Sequence, residues 1–173
     1  RKYESDGGPG IGDLLALFEG SDDPARDQKL VMKAMVVFWL LAATDGHAKN
    51  FSLFLHPGGR FRLTPFYDVM SVQPLFDAGQ LQRNKMKLAM AVGTNRHRAV
   101  HEIVPRHFIQ SAHANGMGES VLTEIFDELK DTADQALETA RNALPAAFPA
   151  PLADSIANGF SARLRLLDRA EAN

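Results

Sequence analysis

The chain has 173 residues, a length that fits one domain or one lobe of a larger protein. Its 45% hydrophobic content excludes wholesale disorder, and a net charge of -2, from 19 basic and 21 acidic residues, gives no general indication of nucleic-acid binding. The absence of cysteine excludes disulfides, thiolate metal sites and cysteine nucleophiles, and makes a reducing cytoplasm the expected location.

The first half of the chain predicts helices. Residues 1–12 are polar and glycine-rich, with no initiator methionine and no signal peptide, which indicates the C-terminal part of a longer protein. A short helix is expected over 13–19. The longest apolar run, 30–43, has about 14 residues, fewer than the roughly 20 that span a bilayer. It predicts no membrane span but a buried helix that starts at 24 or 27 and ends near 43.

A β-hairpin is predicted next, because residue alternation flanks the turn His56-Pro57-Gly58-Gly59. Its strands are expected over 51–55 and 60–64, and no other β unit is predicted. Residues 75–100 look irregular and locally basic. The remainder predicts helices, which are expected over 106–115, 119–144 and 152–172, with a break over 145–151.

Three polar residues around the hairpin carry a chemical pattern. Asp45 precedes Asn50 by five residues, and Asp68 follows the hairpin. Protein kinases place a catalytic Asp and a metal-binding Asn at this spacing, with a second metal-binding Asp beyond a short hairpin. Carboxylate and amide oxygens suit Mg²⁺, and a free carboxylate can orient an attacking hydroxyl. The pattern predicts the metal- and nucleophile-handling half of a kinase site.

The literal residues resemble one family. The segments that carry the resemblance are Thr44-Asp45-Gly46-His47-Ala48-Lys49-Asn50-Phe51-Ser52, Leu63-Thr64-Pro65-Phe66-Tyr67-Asp68, Lys2 to Gly10, Lys87 to Met90 and Pro105 to Phe108. They are similar to the HipA-type serine/threonine kinases, the toxin halves of bacterial persistence toxin–antitoxin pairs. The resemblance runs almost end to end and implies a mostly α fold, the C-terminal helical lobe of a protein-kinase-like fold with one β-hairpin at the active site.

The resemblance also implies roles and partners. Asp45 would be the catalytic base, Asn50 a magnesium ligand and Asp68 the principal magnesium ligand, in an enzyme that transfers the ATP γ-phosphate to serine in a protein such as a tRNA synthetase. A HipB-like antitoxin would neutralise it, and the complex would sit on operator DNA. The glycine-rich loop, the ATP-binding lysine and the autophosphorylated serine are expected upstream of Arg1, so the chain alone is predicted to be inactive.

On the basis of this resemblance the chain is expected to be one C-terminal kinase lobe with four segments. They are an entry loop and short helix (1–21), the buried helix with the catalytic loop and metal-site hairpin (22–75), a variable basic segment with a short helix (76–118), and the C-terminal helices (119–173).

Several side chains near this site have alternative interpretations. Either His47 or Lys49 could approach the γ-phosphate, and Tyr67 would line the nucleotide pocket or lie in the core. Asp45, Asn50 and Asp68 could instead serve only turns and caps. A zinc pair of His47 and His56 lacks a third ligand nearby in the sequence.

Ala43 and Thr44 stand where many kinases carry His and Arg before the catalytic Asp, which disfavours regulation through a phosphorylated activation loop. The glycine-rich stretch 7–12 lacks the strand and lysine of a phosphate loop, which predicts a flexible loop. The family resemblance implies that this loop lies near the active-site cleft and helps to seat the peptide substrate. Arg96 and Arg98 lie either on a solvated surface or against operator phosphates.

Two other functions compete with the kinase prediction. The lobe could be a non-catalytic module that binds the antitoxin and associates with the operator in transcriptional repression. Alternatively, it could transfer phosphate to a small molecule.

Overall fold

The computed structural model of the chain describes residues 1–168. In chain order the elements are the helices α1 (Ile11–Phe18) and α2 (Pro24–Leu41), the strands β1 (Leu53–His56) and β2 (Arg60–Leu63), the helix α3 (Gln73–Asp77), the strands β3 (Lys87–Val92) and β4 (His97–Ala99), and the helices α4 (Pro105–Ala114), α5 (Glu119–Ala143) and α6 (Ala150–Leu164). The predicted mostly α fold is confirmed.

Helix α2 forms the centre of the core. It begins where the Asp23 side chain accepts a hydrogen bond from the Arg26 amide, directly before a proline in the first turn. The helix is buried along most of its length and packs against α1, α4, α5 and α6. Its only tryptophan, Trp39, is fully buried, and the indole N–H donates to the Val100 carbonyl at 3.0 Å. The predicted buried helix is therefore confirmed.

Helix α2 ends at Leu41, two residues before the predicted end. Ala42 adopts a left-handed conformation with φ of 51°, and the Ala43 amide donates to the Phe38 carbonyl at 2.7 Å. This is a helix C-terminal cap, normally formed by glycine, and the chain turns away from the core directly after it. The loop that carries Asp45 therefore begins from a fixed backbone.

The predicted hairpin is confirmed, with shorter strands. β1 and β2 pair antiparallel, with Leu53 opposite Leu63 and His56 opposite Arg60. A buried carboxylate attaches this hairpin to α2: Asp27 is fully buried, and its Oδ2 accepts a hydrogen bond of 3.1 Å from the Leu63 amide. The hairpin is thus held against the first turn of the central helix.

The expectation of a single β unit was wrong, and residues 75–100 are not irregular. β3 and β4 form a second antiparallel pair with a register irregularity between them, and α3 precedes them. The five residues from Leu88 to Val92 are all buried, so the strand shows no polar–apolar alternation. A short continuous apolar run does not distinguish a strand from a buried helical segment, which explains the miss.

The C-terminal helices agree with the prediction except at the end of α6. Helix α6 starts at Ala150 and ends at Leu164, earlier than the expected 172. The predicted end of this helix lies outside the described residues. Within residues 1–168, no helix is both long enough and apolar enough to cross a membrane.

Candidate active site

The loop after α2 and the segment after β2 meet at the end of the central helix. The Val72 amide donates to the carbonyl of Ala42 at 3.1 Å, which brings the segment that follows Asp68 to the start of the Asp45 loop. Residues Ala48–Asn50 form a single 3₁₀ turn inside that loop. The two segments that carry residues 45, 50 and 68 are therefore hydrogen-bonded to each other at the C-terminal end of α2.

Glycine is required at position 46 because there is no room for a side chain, and not because of its backbone angles. A Cβ at this position would overlap the ring of Phe38, which is 3% exposed. Behind the loop the rings of Phe38 and Phe51 lie 6.1 Å apart edge to face, and Phe51 meets Phe66 in the same way at 5.6 Å. These aromatic contacts leave the Phe38 ring little room to move, so they support the loop from the core side.

Asn50 and Asp68 are in direct contact. The Asn50 side chain is buried, its Nδ2 donates to Asp68 Oδ2 at 3.1 Å, and its Oδ1 accepts from the His47 amide at 3.3 Å. Asp68 itself is exposed and has a left-handed φ of 57°, a conformation that aspartate tolerates better than most residues. The predicted Asn–Asp pair is thus brought together across 18 residues of sequence.

Asp45 is bound by two side chains from the start of the chain. The Tyr3 hydroxyl donates to Oδ1 at 2.7 Å, and the Lys2 ammonium donates to Oδ2 at 3.1 Å. Partial burial alone would raise the pKa of Asp45, but the hydrogen bonds from Tyr3 and Lys2 outweigh it and hold that pKa below its ordinary value. Asp45 is therefore an ionised carboxylate near neutral pH.

The two candidate phosphate-binding side chains of the loop are placed differently. His47 is 6% exposed, its Nε2 lies 3.9 Å from Asp45 Oδ1, and its buried Nδ1 has no hydrogen-bond partner among residues 1–168. The ring meets that of Tyr3 edge to face at 5.7 Å. Lys49 is exposed. The structure therefore places His47 behind Asp45 and leaves Lys49 at the surface.

Tyr67 does not belong to the core, since its side chain is 45% exposed. Its hydroxyl donates to the Lys49 carbonyl at 3.1 Å and shares a hydrogen bond of 2.7 Å with the Ser52 hydroxyl. Tyr67 thus ties the end of the Asp45 loop to the residue before Asp68. A role in lining a nucleotide pocket stays a prediction.

Lys2 and Tyr3 are the site residues that the sequence reasoning missed. They lie 43 and 42 residues before Asp45, so no local spacing connects them with it. The one available signal was the family resemblance of the segment from Lys2 to Gly10. The glycine-rich stretch that follows leads directly into α1, where the Gly10 amide donates to Asp13 at 2.8 Å. The stretch therefore precedes the first helix, and a role in seating a peptide stays a prediction.

The donor set of Asn50 and Asp68 fits a magnesium ion. Mg²⁺ prefers octahedral oxygen ligands at about 2.0–2.1 Å, so two neighbouring ligands lie about 3 Å apart. The 3.1 Å contact is a hydrogen bond from Asn50 Nδ2 to Asp68 Oδ2, so it places the two side chains side by side, while the Asn50 oxygen that would bind the metal is the Oδ1 that accepts from the His47 amide. No group of three or more His, Asp or Glu side chains suited to a metal occurs in the described part of the chain, so the His47–His56 zinc alternative gains no third ligand.

Arg96 and Arg98, the candidate DNA contacts, both pair with Glu4. Each guanidinium lies 2.9 Å from one Glu4 oxygen, and the side chains of Arg96 and Arg98 are 65% and 20% exposed. Arg98 also donates to the Ala89 carbonyl at 3.0 Å. Arg98 therefore has a structural role, and DNA contact by either residue stays a prediction.

Two comparisons place this geometry among known proteins. The sequence model of the HipA-like C-terminal domain family matches residues 1–137. The fold is similar to a chain in the solved complex of the toxin–antitoxin proteins HipA and HipB with their operator DNA from Shewanella oneidensis MR-1, with a TM-score of 0.75 and 21% sequence identity. The match covers 94% of this chain and 36% of the other, so this chain spans about a third of that relative.

Proposed function

Since the chain belongs to the family of HipA-like C-terminal domains, we propose that it supplies the C-terminal lobe of an ATP- and magnesium-dependent serine/threonine protein kinase. The kinase would be the toxin of a HipA/HipB-type toxin–antitoxin system linked to persistence. One observation carries the proposal: an ionised Asp45 lies on the same short loop as Asn50, whose amide contacts the Asp68 carboxylate at 3.1 Å.

In this proposal Asp45 orients the substrate hydroxyl. The hydroxyl oxygen bonds to the γ-phosphorus of ATP, the bond to the bridging oxygen breaks with its electron pair leaving on ADP, and the hydroxyl proton passes to the Asp45 carboxylate. Because phosphoryl transfer proceeds through a loose transition state, positioning and charge matter more than base strength. The lowered pKa of Asp45 suits this task, since the carboxylate stays a hydrogen-bond acceptor.

Asn50 and Asp68 would hold magnesium, which when bound neutralises charge on the phosphate oxygens. The two side chains are prepared for this in different ways. Asn50 is buried and its Oδ1 accepts from the His47 amide, whereas Asp68 is exposed and its Oδ2 accepts from Asn50 Nδ2. A rigid amide and an accessible carboxylate fit a metal that keeps ligands from substrate and water.

The rest of the ATP site would come from outside this chain. The chain spans 36% of the solved relative's length, and a glycine-rich phosphate loop with a partnering lysine is expected in the remainder. The isolated 173-residue chain should therefore neither bind ATP tightly nor phosphorylate a protein. Robust transfer by the isolated chain would contradict this division of the site.

The full-length protein provides the test of the kinase proposal. Asp45→Asn and Asp68→Asn should each lower phosphate transfer from ATP to protein serine by at least about 10²-fold, because one removes the carboxylate acceptor and the other a charged metal ligand. Asp131→Asn is the matched control, an exposed aspartate on α5. Activity of either site variant at the control's level would refute the proposal.

A second candidate, a non-catalytic module, is favoured by what the solved relative contains. That structure holds HipA with HipB and operator DNA. By analogy this lobe would bind a HipB-like antitoxin and associate with an operator, acting in repression without phosphoryl transfer. Under the kinase proposal, Asp45→Asn should end toxicity while antitoxin and operator binding persist. Toxicity that persists in this variant would favour the non-catalytic role.

The substrate and the DNA contact need separate measurements. A phosphoprotein comparison of expressing cells should show new phosphoserine, with a tRNA synthetase as the family's expected target, whereas a small-molecule kinase would leave none.

Charge reversal at Arg96 should weaken the salt dependence of operator binding if it touches phosphate. An unchanged salt dependence would exclude that contact.

A further inference from the structure

A positive group near Asp45 would stabilise the transferred phosphoryl group together with magnesium, and neither His47 nor Lys49 is hydrogen-bonded to the Asp45 carboxylate. Negative charge on the transferred oxygens is stabilised by preorganised cations in such sites. His47 is buried behind the carboxylate, with Nε2 3.9 Å from Oδ1. Lys49 is exposed, and within residues 1–168 its ammonium forms no ion pair or hydrogen bond, with Asp45 or with any other group.

Lys2 is in place. Its ammonium lies 3.1 Å from Asp45 Oδ2, and the side chains of Lys2 and Asp45 are 41% and 43% exposed. The ammonium also lies 5.0 Å from the Tyr3 ring centroid. The pair is therefore formed at the surface, where an incoming hydroxyl and a phosphate can both reach it.

The position of Lys2 is fixed by the residue two places further on. The Glu4 side chain is 9% exposed, and its Oε2 accepts from the Ala91 amide at 2.6 Å and from Arg98 at 2.9 Å. The Gly8 amide donates to the Tyr3 carbonyl at 2.8 Å, and a Cβ on Gly8 would lie 2.7 Å from that oxygen. The segment is thus anchored on the second sheet and turned tightly after Tyr3.

We propose that Lys2 is a catalytic residue of this site. Its ammonium holds Asp45 before substrate binds and then contacts the transferred phosphoryl oxygens, and Tyr3 is a positioning residue for Asp45. The proposal rests on the kinase function above. When the substrate hydroxyl takes its place on Asp45, the Lys2 ammonium keeps at least one N–H free for the phosphoryl group, since it has three. No further covalent step is involved.

The test uses the full-length protein, ATP and a protein substrate. Lys2→Met should lower kcat by roughly 10²-fold while KM for ATP changes little, because the interaction is made mainly in the transition state. Lys2→Arg should recover part of the loss. Lys85→Met, which removes an exposed lysine away from the site, is the matched control and should behave as wild type. Lys49→Met should lose less kcat than Lys2→Met.

The pH profile separates catalysis from a purely structural effect. Lys2 and Tyr3 both lower the pKa of Asp45, and His47 is the other titratable group that faces it. Lys2→Met and Tyr3→Phe should therefore each move the acidic limb of kcat to higher pH, with the smaller plateau loss for Tyr3→Phe. An unmoved limb in both variants would mean that the segment acts only structurally, which overturns the proposal.

The outcomes for the two proposals are distinct. If Asp45→Asn abolishes transfer but Lys2→Met matches Lys85→Met, the role of Lys2 is refuted while the kinase function stands. A larger loss from Lys49→Met than from Lys2→Met would also refute it, in favour of Lys49. If wild-type protein transfers no phosphate, or Asp45→Asn transfers it at the wild-type rate, the kinase function itself fails.

Discussion

Gly46→Ala should damage stability and activity together, because the added methyl group has no space. Its Cβ would overlap the Phe38 ring, which is buried and packed edge to face against Phe51 at 6.1 Å. The φ of Gly46 lies outside the left-handed region, so sterics alone cause the effect. Forcing one carbon into a packed core costs about 1–3 kcal/mol of unfolding free energy.

A double-mutant cycle tests this cause. Phe38→Leu removes the ring edge nearest to the added Cβ and alone should cost roughly 1–2 kcal/mol, less than truncation to alanine. In the double variant the new methyl group would fill part of the vacated space. The combined loss should therefore be smaller than the sum of the two, by about 0.5–3 kcal/mol.

Urea denaturation of the 173-residue chain, followed by fluorescence of its only tryptophan, the fully buried Trp39, measures each corner of the cycle. Phosphate transfer by the full-length protein is the second measurement. A loop displaced by about 1 Å can lose about 10²-fold in rate, and Phe38→Leu should restore part of it. Strictly additive losses in stability would refute the steric explanation.

Two further predictions concern the framework around the site. Asp27→Ala leaves the buried Leu63 amide without its 3.1 Å acceptor and should cost about 2–3 kcal/mol of unfolding free energy. Asp27→Asn keeps an acceptor and should cost less. Equal losses of the two variants in urea denaturation would contradict this explanation. Burial, with the nearby charges of His97 and Arg106, lowers the pKa of His107 in the folded protein. Below pH 6.5, the ordinary pKa of histidine, the unfolded chain therefore binds more protons than the folded one, and stability is lost as the pH falls. His107→Gln should flatten this loss between pH 7 and 5, and an unchanged slope would contradict it.

The parts of the site that the sequence predicted are those joined by short-range signals. The five-residue spacing of Asp45 and Asn50 lies within one loop, and the turn signal at Gly58 and Gly59 set the hairpin that leads to Asp68. Helix α2 was predicted from a long apolar run, and its start is set by the adjacent Asp23 cap and Pro24. Each of these features is decided by neighbours in the chain.

The parts that the sequence did not predict depend on tertiary context. The apolar run from Leu88 to Val92 shows no polar–apolar alternation because both of its faces are buried. Its pairing with β4 could therefore not be predicted from the sequence. The position of Tyr67 depends on the hydrogen bond from its hydroxyl to the Lys49 carbonyl, which exists only in the folded loop. Lys2 reaches Asp45 over 43 residues, and only the folded chain reports that contact.

The second sheet explains why the start of the chain can serve a distant loop. A lysine on an irregular segment would lose considerable conformational entropy if that segment were held by the Asp45 contact alone. Glu4 removes much of that freedom beforehand, because its partly buried carboxylate accepts hydrogen bonds from the Ala91 amide and from Arg98. Arg98 is therefore bound to the same anchor that fixes Lys2, and β3 and β4 act as the platform from which Lys2 and Tyr3 are directed at Asp45.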